Sequence, residues 1–196
     1  TRDDVNNTEE LTIKRLGNSY KAHVPQKSPK MALNVGRGLT SPIFFIDEGP
    51  FQSNIEISLP AALAAGTAAR EQARLRGEPY GTVLTTTAGK KDDRDGRFVY
   101  KFMQEAAEWT EKFFDAQNAE ELDRMVRANS RKGRFRINIT MNHRQLGRDD
   151  AWLKKVIEDS NASGEDADRD FGNVWTSGTL TSPLSISELE AIRGSQ

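Results

Sequence analysis

Apolar and polar residues alternate or cluster along this chain in ways that predict a mixed α/β order. Residues 11–16 and 19–24 carry short apolar-bearing runs on either side of Gly17-Asn18, the pattern of a β-hairpin. The prolines between Pro25 and Pro29 break that pattern, and residues 31–35 are expected to form another extended piece. Pro42-Ile43-Phe44-Phe45-Ile46 is apolar without alternation, as a strand covered on both faces of a parallel sheet would be. An alanine-rich stretch over 59–76 predicts a helix stopped by Gly77 and Pro79, followed by a β-branched strand over 82–87. Phe98, Phe102, Ala106, Trp109 and Phe113 recur at steps of three or four, predicting a long amphipathic helix over 98–116. A second helix is expected over 120–128. Phe135, Ile137, Ile139 and Met141 alternate with polar residues and predict a third strand. Asp149 and Asp150 open a helix through 157, an acidic segment follows to 170, and the chain closes in a linker with one short helix over 187–192.

The length of 196 residues suits one ordinary domain with its own core. Lys plus Arg number 28 against 29 Asp plus Glu, a net charge of −1, which argues against a wholly basic nucleic-acid coat but leaves room for a local patch. There is no cysteine, so disulfides, thiolate metal sites and cysteine nucleophiles are all excluded. With His23 and His143 the only histidines, a multi-histidine metal centre is excluded as well. No stretch approaches the roughly 20 apolar residues that span a bilayer, and no charged-then-apolar signal segment opens the sequence. A mean hydropathy of −0.69 with 36% hydrophobic residues suits a soluble, intracellular, polar-surfaced domain.

The strongest chemical signal is the abrupt end of the apolar strand in Asp47-Glu48. A strand that delivers two carboxylates to the C-terminal edge of a sheet places them where ligands of open α/β sheets gather. At that position Asp47 would hold Mg²⁺, directly or through water, and Glu48 would polarise an attacking water. A solvated acidic turn would give the same local sequence. Thr85-Thr86-Thr87-Ala88-Gly89 ends the next strand, one helical crossover later, and would bring hydroxyls to the same edge, where they would sense a γ-phosphate. Threonine also serves plain β-propensity and helix capping. Arg37, between Gly36 and Gly38, would reach a phosphate or a neighbouring subunit. Arg124, Arg127, Arg131, Lys132, Arg134 and Arg136 include no acid between 124 and 136, and would contact a DNA backbone or simply face solvent. The mixed charges of Lys90 to Arg97 read as a solvated loop, His143 as a hydrogen-bonded structural histidine, and the aromatics of 98–113 as a helix core face.

Arg37-Gly38, the strand ending in Asp47-Glu48, Thr85-Thr86-Thr87-Ala88-Gly89, and Phe171-Gly172 followed by Thr176-Ser177-Gly178-Thr179-Leu180 together resemble the large terminase subunit of tailed bacteriophages. The resemblance runs from the hairpin near Leu11 to about Leu180. It implies an α/β, RecA-like P-loop NTPase core of the additional-strand catalytic glutamate type with a mostly parallel sheet. In that family Asp47 matches the Walker B aspartate, Glu48 the catalytic glutamate and Thr85 to Thr87 the coupling motif. The implied activity is ATP hydrolysis with Mg²⁺, driving double-stranded DNA into a procapsid. The implied partners are a portal protein, a small terminase subunit and further copies in a ring. The implied location is the host cytoplasm, docked transiently on the procapsid, with no membrane association.

Two departures qualify the resemblance. No G-x-x-x-x-G-K-[ST] phosphate loop occurs, because Gly89-Lys90-Lys91 lacks both the hydroxyl and the preceding glycine. The family's nuclease domain is not represented either. Residues 1–180 therefore read as the latter part of an ATPase domain within a longer polypeptide, and 181–196 as a linker or C-terminal tail. The opening Thr1, in place of a methionine, agrees with that reading. The isolated chain is expected to turn over little ATP. Two alternatives stand beside this one: a superfamily-two helicase-like ATPase core, whose usual D-E-x-[DH] is not matched by Asp47-Glu48-Gly49-Pro50, and a non-catalytic interaction module with a motor-like fold.

Overall fold

In a computed structural model of the chain, residues 4–7, 9–37, 41–178, 188 and 190–192 are described. The chain divides into two units, one made of Thr1–Ile43 with Ser53–Gly81, the other of Phe44–Gln52 with Thr82–Gln196.

The first unit opens with the expected antiparallel hairpin. Strand β1 (Glu10–Ile13) pairs with β2 (Asn18–Lys21), with Ile13 opposite Asn18. The reversal is a 3-10 turn over Lys14–Leu16 closed by Gly17 at φ 66°, where a glycine tolerates the left-handed backbone that other residues resist. Residues 31–35 are not extended. Pro29 sits in the first turn of a short helix α1 (Pro29–Ala32), where its fixed φ and missing N–H cost nothing, and turns continue to residue 37. The alanine-rich helix starts earlier than the sequence suggests and is two helices, α2 (Ile55–Ala65) and α3 (Thr67–Arg76), separated at Gly66. Asn54, buried and itself at φ 60°, donates its side-chain amide to the carbonyls of Gln26 and Lys27, tying the proline-rich loop to the start of α2. Ala32, Ile55, Leu59, Ala62 and Ala73 are its buried apolar residues. A Cβ on Gly36 would stand 2.9 Å from the Ala62 backbone, so only glycine permits this approach of the α1 tail to α2.

The second unit holds the acidic strand. β3 (Ile43–Asp47) pairs with β4 (Gly81–Thr85). Pro42 accepts from the Gly81 amide at 3.0 Å and Thr85 from the Glu48 amide at 2.8 Å, so the two strands climb together and run parallel. The strand is not covered on both faces: Phe45 is 68% exposed, and burial along β3 alternates. Beyond Glu48 a 3-10 turn (Gly49–Phe51) buries Gly49 and Pro50 against α4 (Arg94–Gln104), whose Val99 is fully buried. The charged stretch read as a solvated loop thus contributes Arg94, Asp95 and Arg97 to a helix.

Helix α4 ends at Gln104, well short of residue 116. Arg136 lays its guanidinium 3.3 Å from the centre of the Phe102 ring and donates to the Phe102 carbonyl, placing a cation and a donor at the helix C-terminus. The chain then turns into β5 (Ala107–Glu108), which pairs in parallel with β6 (Ile137–Asn138). Trp109 and Phe113 leave the helix face altogether, Phe113 entering a 3-10 turn (Glu111–Asp115). It packs with Ala107 and Val126 of α5 (Ala119–Asn129), the second predicted helix. Asn118 caps α5 by accepting from the Glu121 amide at 2.9 Å, while Glu121 accepts from the Gln117 amide. The third strand is only two residues long. It joins β5, so among the described residues the β-structure is three two-stranded pairs instead of one mostly parallel sheet.

Asp149 caps α6 (Asp150–Asp159) through the Trp152 amide, as its placement suggests. The acidic segment forms α7 (Gly164–Asp170). Thr176 then returns to bridge Lys90 in parallel. Thr179 and Leu180 at the end of the Thr176-Ser177-Gly178-Thr179-Leu180 segment, Gly38, and most of the expected closing tail lie outside the described residues, though Glu188 and residues 190–192 are helical. The architecture is mixed α/β with short parallel pairs, and no helix among the described residues is long and apolar enough to cross a membrane.

Candidate functional site

The two acids and the hydroxyl row meet at the C-terminal lip of the β3–β4 pair. Parallel pairing without offset brings the end of β4 beside the end of β3, and Thr85 Oγ1 donates to Asp47 Oδ1 at 2.8 Å. Thr86 Oγ1 and Thr87 Oγ1 each lie 3.4 Å from Glu48 Oε2. These two contacts are not equivalent. A hydroxyl has one proton, and that of Thr86 goes to the Thr87 carbonyl at 2.7 Å, leaving Thr87 as the hydroxyl able to donate to Glu48. At 3.4 Å that bond is long and weak. Asp47 is therefore firmly oriented by one hydroxyl, whereas Glu48 is loosely held. Both carboxylates are exposed and open to solvent on their remaining lone pairs.

The backbone aims them differently. Glu48 has φ 52° and ψ 46°, a left-handed conformation that costs a residue with a side chain roughly 1–2 kcal/mol. This bend takes Glu48 out of the strand while its amide still closes the ladder onto Thr85. Two further residues brace the lip. The Gln52 side-chain amide donates to the Asp47 carbonyl, pinning the turn from its far side. Gly89 lies against Pro50: a Cβ there would stand 2.7 Å from the Pro50 Cβ and 3.2 Å from Trp175. The turn after Glu48 and the turn after Thr87 are in this way packed one on the other. Gln52 carried no signal in the sequence, since its role depends on a fold-back across five residues. Gly89 was visible only as the end of the threonine motif.

The donors at the lip are all oxygens, two of them carboxylates, a set that suits a hard cation such as Mg²⁺. Mg²⁺ commonly takes one or two protein carboxylates and completes its shell with waters and phosphate oxygens. No cluster of three or more His, Cys, Asp or Glu able to hold a metal by itself occurs among the described residues.

The other candidates are divided between the two units. Arg37 belongs to the first unit, where it is exposed in the turns that follow α1 and its amide bonds to the Asn34 carbonyl. Within the basic run, Arg127 pairs with Asp123 at 2.6 Å, Lys132 with Glu105, and Arg136 with Phe102 and Glu105. These three side chains are committed to the fold. Arg124, Arg131 and Arg134 are exposed and make no ion pair among the described residues. His143 is hydrogen-bonded, its Nε2 2.7 Å from Asp150 Oδ1, and Arg144 also grips Asp150. Comparison with known protein families, with curated proteins and with solved structures finds no match to this chain.

Proposed function

We propose that the Asp47–Glu48 lip is the Walker B half of a nucleotide-hydrolysing site, in the latter part of a RecA-like ATPase domain of the large-terminase kind. The observation that supports the reading is the hydroxyl row of one parallel strand engaging both terminal acids of its neighbour, with Thr85 on Asp47 and Thr87 reaching Glu48. A solvated acidic turn requires no such partner strand.

In this reading Asp47, oriented by Thr85, presents its free carboxylate oxygen to Mg²⁺, which when bound neutralises charge on the phosphates. Glu48 orients a water and accepts its proton as that water attacks the terminal phosphorus, while the bond from that phosphorus to the bridging oxygen breaks and ADP leaves with phosphate released. Its loose tether and outward bend suit a group that must exchange a proton with a mobile water. Thr86 and Thr87 lie where loss of phosphate would alter their bonding, and the Gly89–Pro50 packing carries that change into the turn beneath. Arg37 is proposed as a contact to phosphate or to an adjacent subunit. The larger task is translocation of double-stranded DNA by a ring of copies with a portal protein and a small terminase subunit, in the host cytoplasm. Exposed Arg124, Arg131 and Arg134 supply the phosphate contacts.

The test uses Mn²⁺ with ATP as a paramagnetic stand-in. Amide signals of Glu48, Thr85 and Thr86 should broaden first, and Asp47→Asn should abolish the effect. Broadening that is spread over the surface acids, or unchanged in Asp47→Asn, would reject the site. Turnover of Mg-ATP should stay near background, because no phosphate loop is present in the sequence.

A further inference from the structure

Away from the acidic lip, the second unit contains a cavity of about 190 Å³ between α4, the β5–β6 pair and the segment before Thr176. Tyr100 and Trp175 form an aromatic wall, their ring centres 5.2 Å apart and their planes tilted by 51°. Glu108 and Asn138, directly paired in register across β5 and β6, also line the cavity. Asn138 donates to Glu108 Oε1 at 2.9 Å. Gln104 and Asn173 are further polar residues of the lining.

Glu108 is the charged member of this lining. Among the described residues no Lys, Arg or His pairs with it, and the one hydrogen bond it receives comes from a neutral amide. A carboxylate is an acceptor only, and the faces of Tyr and Trp rings are negative. Together they repel phosphates and carboxylates and attract a positive group, which gains both a charge-assisted hydrogen bond and a cation–π contact. The volume is below the roughly 300 Å³ at which pockets for whole drug-sized ligands begin, so it suits a head group better than an entire molecule.

We infer that this cavity is a binding site for an alkyl ammonium or guanidinium group, held between the Tyr100–Trp175 wall and the Glu108 carboxylate. Such a group reaches it either on a free amine or on a Lys or Arg side chain of another protein. The inference is independent of nucleotide chemistry at Asp47 and Glu48 and stands or falls separately from it.

The test is a titration of the full chain with methylguanidinium, butylammonium and the neutral isostere tert-butanol, following the Trp175 indole and Asn138 side-chain amide signals. Both cations should give saturable shifts with dissociation constants near about 1 mM, and tert-butanol should give none. Glu108→Gln keeps the size and the bond to Asn138 while removing the charge, and should weaken the cations about tenfold. Because Glu108 is exposed, this variant does not threaten the fold. Equal shifts from tert-butanol, unchanged affinity in Glu108→Gln, or no saturable shift far beyond that concentration would each overturn the inference. A blocked Gly-Arg-Gly peptide separates the sources. Tighter binding than methylguanidinium points to a protein side chain, weaker binding to a free amine, and either result upholds a cation.

Discussion

Gly89 has no room for a side chain, and the reason is local to one contact. The nearest atoms to an added Cβ are the Pro50 ring at 2.7 Å and the Trp175 ring at 3.2 Å, neither of which is the far end of a flexible chain. Gly89→Ala should therefore displace the turn that carries Glu48, at a cost of about 1–3 kcal/mol typical of overpacking. Urea denaturation measures the stability change. The Glu48 amide resonance, read in the same protein, should move with it, and a variant that unfolds at the wild-type midpoint would show that the contact relaxes freely. Glu48 illustrates the opposite case, an extended side chain on a backbone that favours glycine. Strained residues of this kind collect at functional sites. The identity of Asp47 and Glu48 as candidates was legible in the sequence, because an apolar run ending in two acids needs no tertiary information to be noticed. The left-handed bend at Glu48 was not, since nothing in the residue itself favours it.

At the scale of elements, the loop before α6 is clamped to that helix by charge. Arg144 and His143 both bond the Asp150 carboxylate, and these contacts, Arg144 foremost, hold its carboxyl below the usual aspartate range. A group whose folded pKa is depressed adds stability above its unfolded pKa and loses it as pH falls through the folded value. The clamp should thus be intact at neutral pH and release only in acid below the ordinary aspartate range. Melting curves of the wild type and Asp150→Asn should differ at neutral pH and converge in acid; a gap that persists at low pH would assign the difference to packing. The end of α4 shows why periodicity misleads at this scale. Phe98, Phe102, Trp109 and Phe113 keep a helical rhythm across residue 104, yet the helix stops where a guanidinium thirty-four residues further along caps it. The hairpin, by contrast, was legible because its turn and both strands lie within a dozen residues.

For the molecule as a whole, net charge near zero conceals an uneven distribution of usable cations. Half of the six basic residues between 124 and 136 are tied to carboxylates or an aromatic ring, leaving Arg124, Arg131 and Arg134. If these three meet duplex phosphates, the logarithm of the binding constant should fall with that of salt concentration at a slope of about −2.7. Changing all three to Ala should remove most of that slope in a fluorescence-anisotropy titration with duplex DNA. A slope near −5 would mean that the paired residues also contribute, and its persistence in the triple variant would place the contact elsewhere. The exposed Phe45 belongs to this scale too. The apolar run was correctly read as a strand, but whether both its faces are covered depends on which layers pack beside it, not on the run.

The order of residues determined what is local: the hairpin turn, helices α5 and α6, the short apolar strand and the acids that end it. Their energetics come from torsional preference and near neighbours, so they can be read along the chain. The tertiary structure decided the pairings over distance. It set the hydroxyls of β4 against the acids of β3, joined β6 to β5, ended α4 with Arg136 and brought Glu108 into one cavity lining with Tyr100 and Trp175. Each of these depends on which of many chemically similar groups comes within a few ångströms, and that follows from the packing of the folded chain.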